Sequence, residues 1–85
     1  MSDLLPANLE ALIEPIAEQI HQRWMTTRRS QGWKYGSSRN DERKEHPSLI
    51  PYSDLTEEEK EVDRQTARQT IESLHQLGYH ISKPP

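Results

Sequence analysis

Two aromatic rings and a group of cations make the middle of the chain its most chemically loaded stretch. Trp33 and Tyr35 alternate around Lys34. On a strand both rings therefore share one face, and the lysine takes the other. Arg39, Arg43 and Lys44 follow within an all-polar run over residues 37–46. A ring face beside cations suits a flat ligand with an anionic group: the indole stacks, and the guanidinium and ammonium groups take the charge. The alternative is that both rings pack on neighbouring helices, because aromatics dominate small cores. Gly32 and Gly36 bracket the aromatic pair, and Pro47 and Pro51 hold the residues before them extended. The stretch reads as a short strand, an exposed loop and an extended return.

Other chemistries find less support. His21, His46, His75 and His80 show no ligand spacing, and there is no cysteine to complete a metal set or form a disulfide. No nucleophile elbow, Gly-rich phosphate loop or recognisable carboxylate–histidine frame is present. The expectation is a non-enzyme without metal or cofactor.

The loaded stretch has to be held by helices. Leu9, Leu12, Ile13, Ile16, Ala17, Ile20 and Trp24 recur on one face of a helix. Pro15 interrupts that stripe, and proline in a helix interior removes a donor and clashes with the preceding turn. Either the helix kinks there, or a short helix ends and a longer one begins. Because the stripe crosses Pro15 in register, a kinked continuous helix is expected, with Trp24 in the core, Arg28 and Arg29 in the last turn and Gly32 ending it. Thr56-Glu57-Glu58-Glu59 is a capping box that opens a second helix. Its stripe is expected at Val62, Thr66, Thr70, Ile71, Leu74 and Leu77, with Gly78 as left-handed cap. Tyr79-His80-Ile81 reads as a short strand paired with Trp33-Lys34-Tyr35. The fold class is α+β, mainly α: two packed amphipathic helices with short antiparallel strands and a long polar loop.

Composition bounds the partners. Eighty-five residues, 31% hydrophobic, make one domain over 1–85 with a thin core and frayed ends at about 1–5 and 83–85. The net charge of -3 is uneven: residues 28–46 carry six bases and three acids, leaving +3 on an otherwise acidic chain. So small an excess favours a compact anionic ligand over a long nucleic acid. No apolar run reaches membrane-spanning length and no signal peptide is visible, so a cytoplasmic location is expected.

Taken together, Ile20-His21-x-x-Trp24, Gly32-Trp33-x-Tyr35-Gly36, Asp41, Lys44, His46-Pro47-x-Leu49-Ile50-Pro51-Tyr52, Leu55, Glu59-Lys60, Asp63-Arg64 and Leu77-Gly78-Tyr79 resemble the ryanodine-receptor repeat, the RyR domain, from about Leu9 to Ile81. Pro15 departs from the pattern, in a region that is helical in the family. The resemblance implies two packed helices, short antiparallel strands and a long exposed loop. In the large calcium-release channels the repeat occurs as tandem pairs remote from the pore, so channel activity does not transfer to this chain. It implies instead a ligand-sensing module for nucleotide-like molecules, with Trp33 as the matching position for a stacked base, or alternatively a protein-interaction domain. Tandem pairing in the family also implies that identical chains could pair as a homodimer.

Overall fold

The computed structural model describes residues 5–85. A short helix α1, Ala7–Glu10, leads through a turn into α2, Ile13–Ser30. Two-residue strands β1, Lys34–Tyr35, and β2, Glu45–His46, follow, then a 3-10 turn, Tyr52–Asp54, and helix α3, Glu57–Gln76. No helix is long and apolar enough to cross a membrane among the described residues.

Pro15 decides where the first helix breaks. It is the third residue of α2, where the amide has no intrahelical acceptor, so the missing donor costs nothing. The carbonyl that its ring would strike in a continuous helix belongs to Ala11, and the chain turns at Ala11 and Leu12. The expected kinked helix is thus two helices. The apolar stripe survives because the turn keeps Leu9 and Ile13 facing the same core.

Both long helices close by the same device. Gly32 and Gly78 take φ of +91° and +88°, a region open to glycine at little cost. Gly32 N–H donates to the Arg29 carbonyl at 3.0 Å and Trp33 N–H to that of Arg28 at 2.9 Å; Gly78 and Tyr79 repeat the pattern on His75 and Leu74. These are Schellman closures, which also bring the residue after the glycine back over the last turn.

The strands correct two expectations. β1 pairs with β2, Lys34 opposite Glu45 and Tyr35 opposite His46, and the pairing is parallel. Residues 79–85 form no strand; Ile81 packs against the core instead. A parallel pair ordinarily needs a crossover of a dozen or more residues, whereas here residues 36–44 suffice. Asn40 and Glu45 exchange both backbone hydrogen bonds at 2.9 Å, closing a tight loop. The Asn40 side chain caps the turn by accepting from Arg43 N–H at 3.0 Å. Lys44, at φ +55°, then redirects the chain alongside β1. Gly36 permits the close approach: a Cβ there would stand 2.5 Å from that of Glu45.

The core has two parts. Leu5, Leu9, Ile13, Ala67 and Ile71 join α1 and α2 to α3; Ala17, Tyr52 and Leu55 lie beneath the extended return. On α3 the buried residues are Ala67 and Ile71, while Val62, Leu74 and Leu77 are exposed, so the inner face is rotated from the expected stripe. Flanking that face are Arg64 and Arg68, whose guanidinium heads reach acids across the interface. Arg68 pairs with Glu10 at 2.6 Å and Arg64 with Glu14 at 2.7 Å, which fixes the helices as antiparallel.

Candidate functional site

The return from β2 to α3 is a strap latched at successive residues. His46 Nδ1 accepts from Ser48 N–H at 3.0 Å. Ser48 Oγ donates to Glu59 Oε2 at 2.5 Å, and Leu49 is buried. The Ile50 carbonyl accepts from His21 Nε2 at 2.7 Å. Tyr52 is buried beneath Lys60 and donates from its hydroxyl to Glu14 at 2.5 Å. Glu59 also closes the capping box: Glu59 N–H donates to Thr56 Oγ1, and Thr56 N–H donates to Glu59 Oε1, both at 3.2 Å.

Between the strap, α2 and α3 lies an open cavity of about 370 Å³. Its walls are Ile20, His21 and Trp24 of α2, His46, Ser48 and Leu55 of the strap, and Glu59, Val62 and Asp63 of α3. The rings are ordered. Trp24 stacks with His21 at 5.6 Å between centroids and meets His46 edge-on at 5.1 Å. Trp24, expected in the core, is half-buried and forms a cavity wall. The reason is the strap, which takes the packing position on Ala17 with Tyr52 and Leu55.

The charges in the cavity are tuned by its geometry. Burial lowers the pKa of His46, with Arg39 and Arg28 adding to the effect. A neutral imidazole with Nδ1 accepting carries its proton on Nε2. The Ser48 hydroxyl, followed by the Thr56 amide, holds Glu59 below the usual carboxylate range. Burial raises Asp63, and the nearby His21, 3.9 Å away, opposes the rise. Asp63 makes no other ion pair and no hydrogen bond among the described residues.

None of the five residues singled out as a ligand site lines this cavity. Trp33 is half-buried with the Arg28 guanidinium 5.6 Å over its ring, and His46 stands 6.4 Å away on the side leading to Trp24. Tyr35 is 58% exposed. Arg39 forms a two-point pair with Asp41 at 2.8 and 3.4 Å. Lys44 Nζ donates to the Gln31 carbonyl at 2.9 Å, beside Gly32. Arg43 is exposed on the turn and makes no side-chain ion pair among the described residues. The basic loop is thus a neighbour of the cavity, joined to it through His46. The cavity was missed because a half-buried tryptophan has the same helical spacing as a core one. The signal was present in the motif itself: Ile20, His21, Trp24, His46, Leu55, Glu59 and Asp63 are separated in sequence and converge here.

A mainly helical α+β domain with a strapped cavity between two antiparallel helices is the class these observations define. The family model for the RyR domain matches residues 2–83. The chain belongs to the RyR domain family.

Proposed function

We propose that this domain is a non-catalytic ligand-sensing module that takes a small flat ligand in the cavity between α2 and α3, with its ring against Trp24. The observation that carries this is the cavity: its volume falls within the range of small-molecule sites, and aromatic walls surround a few convergent polar groups. A nucleotide-like molecule suits it. The ring would enter beside Trp24, and the anionic part would lie toward Arg28 and Arg39, whose charges already act on His46. Trp33 then serves the loop side of the site rather than as the stacking platform. The groups argue against covalent catalysis: the Ser48 proton is committed to Glu59, a carboxylate of lowered pKa and so a weak base, and His46 faces the Ser48 amide rather than its hydroxyl.

The test is a thermal-shift screen with purine and pyrimidine nucleotides on the wild type, Trp24→Ala and Trp33→Ala. A ligand at ~100 times its dissociation constant adds about 2.7 kcal/mol of stability. We expect a shift on the wild type that Trp24→Ala abolishes and Trp33→Ala weakens. A shift unaffected by Trp24→Ala would place the ligand elsewhere.

A second reading is protein docking, favoured by the exposed Val62, Leu74, Leu77 and Tyr79 along α3 and its cap. A second copy of this chain is one such partner. Light scattering that shows a monomer at high micromolar concentration would remove the homodimer.

A further inference from the structure

We infer that the cavity selects a planar heterocycle whose edge carries two adjacent N–H donors, as guanine does, and that the Asp63 carboxylate is the selecting group. The inference rests on the reading of the cavity as a ligand site and names what that ligand must present.

Most polar groups of the wall are committed. Both oxygens of Glu59 accept hydrogen bonds, Oε2 from Ser48 and Oε1 from Thr56. His21 Nε2 donates to the Ile50 carbonyl and His46 Nδ1 accepts from Ser48 N–H. The Trp24 indole N–H and the His46 Nε2–H remain free as donors among the described residues, and Asp63 is the acceptor without a hydrogen bond. Its side chain is only 19% exposed, and its nearest charged partner, His21 Nδ1 at 3.9 Å, lies beyond hydrogen-bonding distance. An ionised carboxylate is an acceptor only, with two oxygens side by side. Partly withdrawn from water, open to the cavity and without a protein donor, it favours a ligand that supplies donors.

Trp24 and Asp63 together restrict those donors. Stacking on the indole fixes the plane of the ring, so the carboxylate can meet only the ring's edge. Two neighbouring N–H groups on that edge give two parallel hydrogen bonds, the arrangement that makes planar carboxylate recognition strong and directional. Guanine has them, as its ring N–H and its adjacent amino group. Adenine offers one donor next to a ring nitrogen lone pair, which the carboxylate repels. A site that offers a donor-seeking carboxylate to the ring edge disfavours an analogue that cannot satisfy it.

The experiment is calorimetric titration of the 85-residue chain with guanosine, inosine and adenosine, repeated on Asp63→Asn. Inosine keeps the ring N–H and lacks the amino group. The expected order on the wild type is guanosine, inosine, adenosine, with guanosine at least about tenfold tighter than adenosine. Asp63→Asn should remove most of that ratio while its melting temperature stays at or above the wild-type value. Equal binding of guanosine and adenosine, or tighter adenosine, overturns the inference and leaves the ligand site standing. So does a guanosine preference that survives Asp63→Asn. If no nucleoside binds and no nucleotide shifts the melting temperature, both the inference and the ligand-site reading are overturned.

Discussion

The imidazole of His46 stands edge-on to the indole of Trp24, with ring planes 77° apart and centroids 5.1 Å apart. His46 is also the partner of Tyr35 in the strand ladder. One residue therefore ties the basic loop to the cavity wall, and its protonation should be felt in the fold. Its pKa lies below the ordinary histidine value because burial disfavours the cation. The unfolded chain then binds the proton more readily, so this contribution is fully present above about pH 6.5 and is lost as pH falls through the folded value. We expect the melting temperature to drop between pH 7 and 5, and the drop to be smaller in His46→Asn. Asp63, with its raised pKa, contributes in the opposite sense at lower pH. Equal pH slopes for wild type and His46→Asn would contradict the assignment.

Tyr52→Phe should keep the buried ring and lose one hydrogen bond to Glu14, which retains Arg64. The expected cost is about 0.5–1.5 kcal/mol in urea unfolding. Burial, with the Glu14 hydrogen bond second, pushes the phenol up to about 12. A spectrophotometric titration should lose its most alkaline tyrosine in this variant.

Gly36→Ala and Gly78→Ala separate two uses of glycine. At Gly78 the backbone φ is +88° and a Cβ meets nothing within 4 Å, so the cost is conformational, about 1–2 kcal/mol. At Gly36 the Cβ would collide with Glu45 at 2.5 Å, and β2 must move away. Gly36→Ala should therefore be the more destabilising, and it alone should change the tryptophan fluorescence, because moving β2 shifts His46 against Trp24.

Ala67 is fully buried where α3 meets α1 and α2. Ala67→Leu should overpack that contact and cost about 1–3 kcal/mol. Val62→Ala, at a position 66% exposed, should change stability by less than about 0.5 kcal/mol. The two costs reversed would restore the stripe expected through Val62 and contradict the observed facing.

The contrast between Ala67 and Val62 shows where the sequence is legible. Caps and turns are local chemistry: Thr56 and Glu59 make the capping box, and Gly32 and Gly78 make left-handed ends, as their residue types require. Facing is not local. Val62, Leu74 and Leu77 look like the inner stripe of α3, but the face taken holds a small Ala67 between arginines whose acids lie about fifty residues away. Strand pairing fails for the same reason. Tyr79-His80-Ile81 has strand composition, yet Ile81 gains more by covering the apolar cluster, while polar Glu45 and His46 reach β1 because Gly36 and Lys44 allow it. Arg39 and Lys44 were legible as cations but not as occupied ones: Asp41 and the Gln31 carbonyl hold them.

The ladder of arginines also sets the order of events in time. Glu10–Arg68 and Glu14–Arg64 close separations of 58 and 50 residues, and the strap contacts Tyr52–Glu14 and His21–Ile50 close 38 and 29. Helical proteins usually fold fast because their contacts are near in sequence. Here the loop-closure entropy is spent before any contact between the long helices rewards it, and α2 and α3 draw most of their stability from that packing rather than from propensity. The strap shortens the search: once residues 46–56 are seated on α2, α3 begins beside its partner and can zip along it. We expect the slow step of folding to be the seating of a segment that is itself hardly helical, seen as a larger effect on the folding rate from a substitution at Tyr52 than from one at Val62.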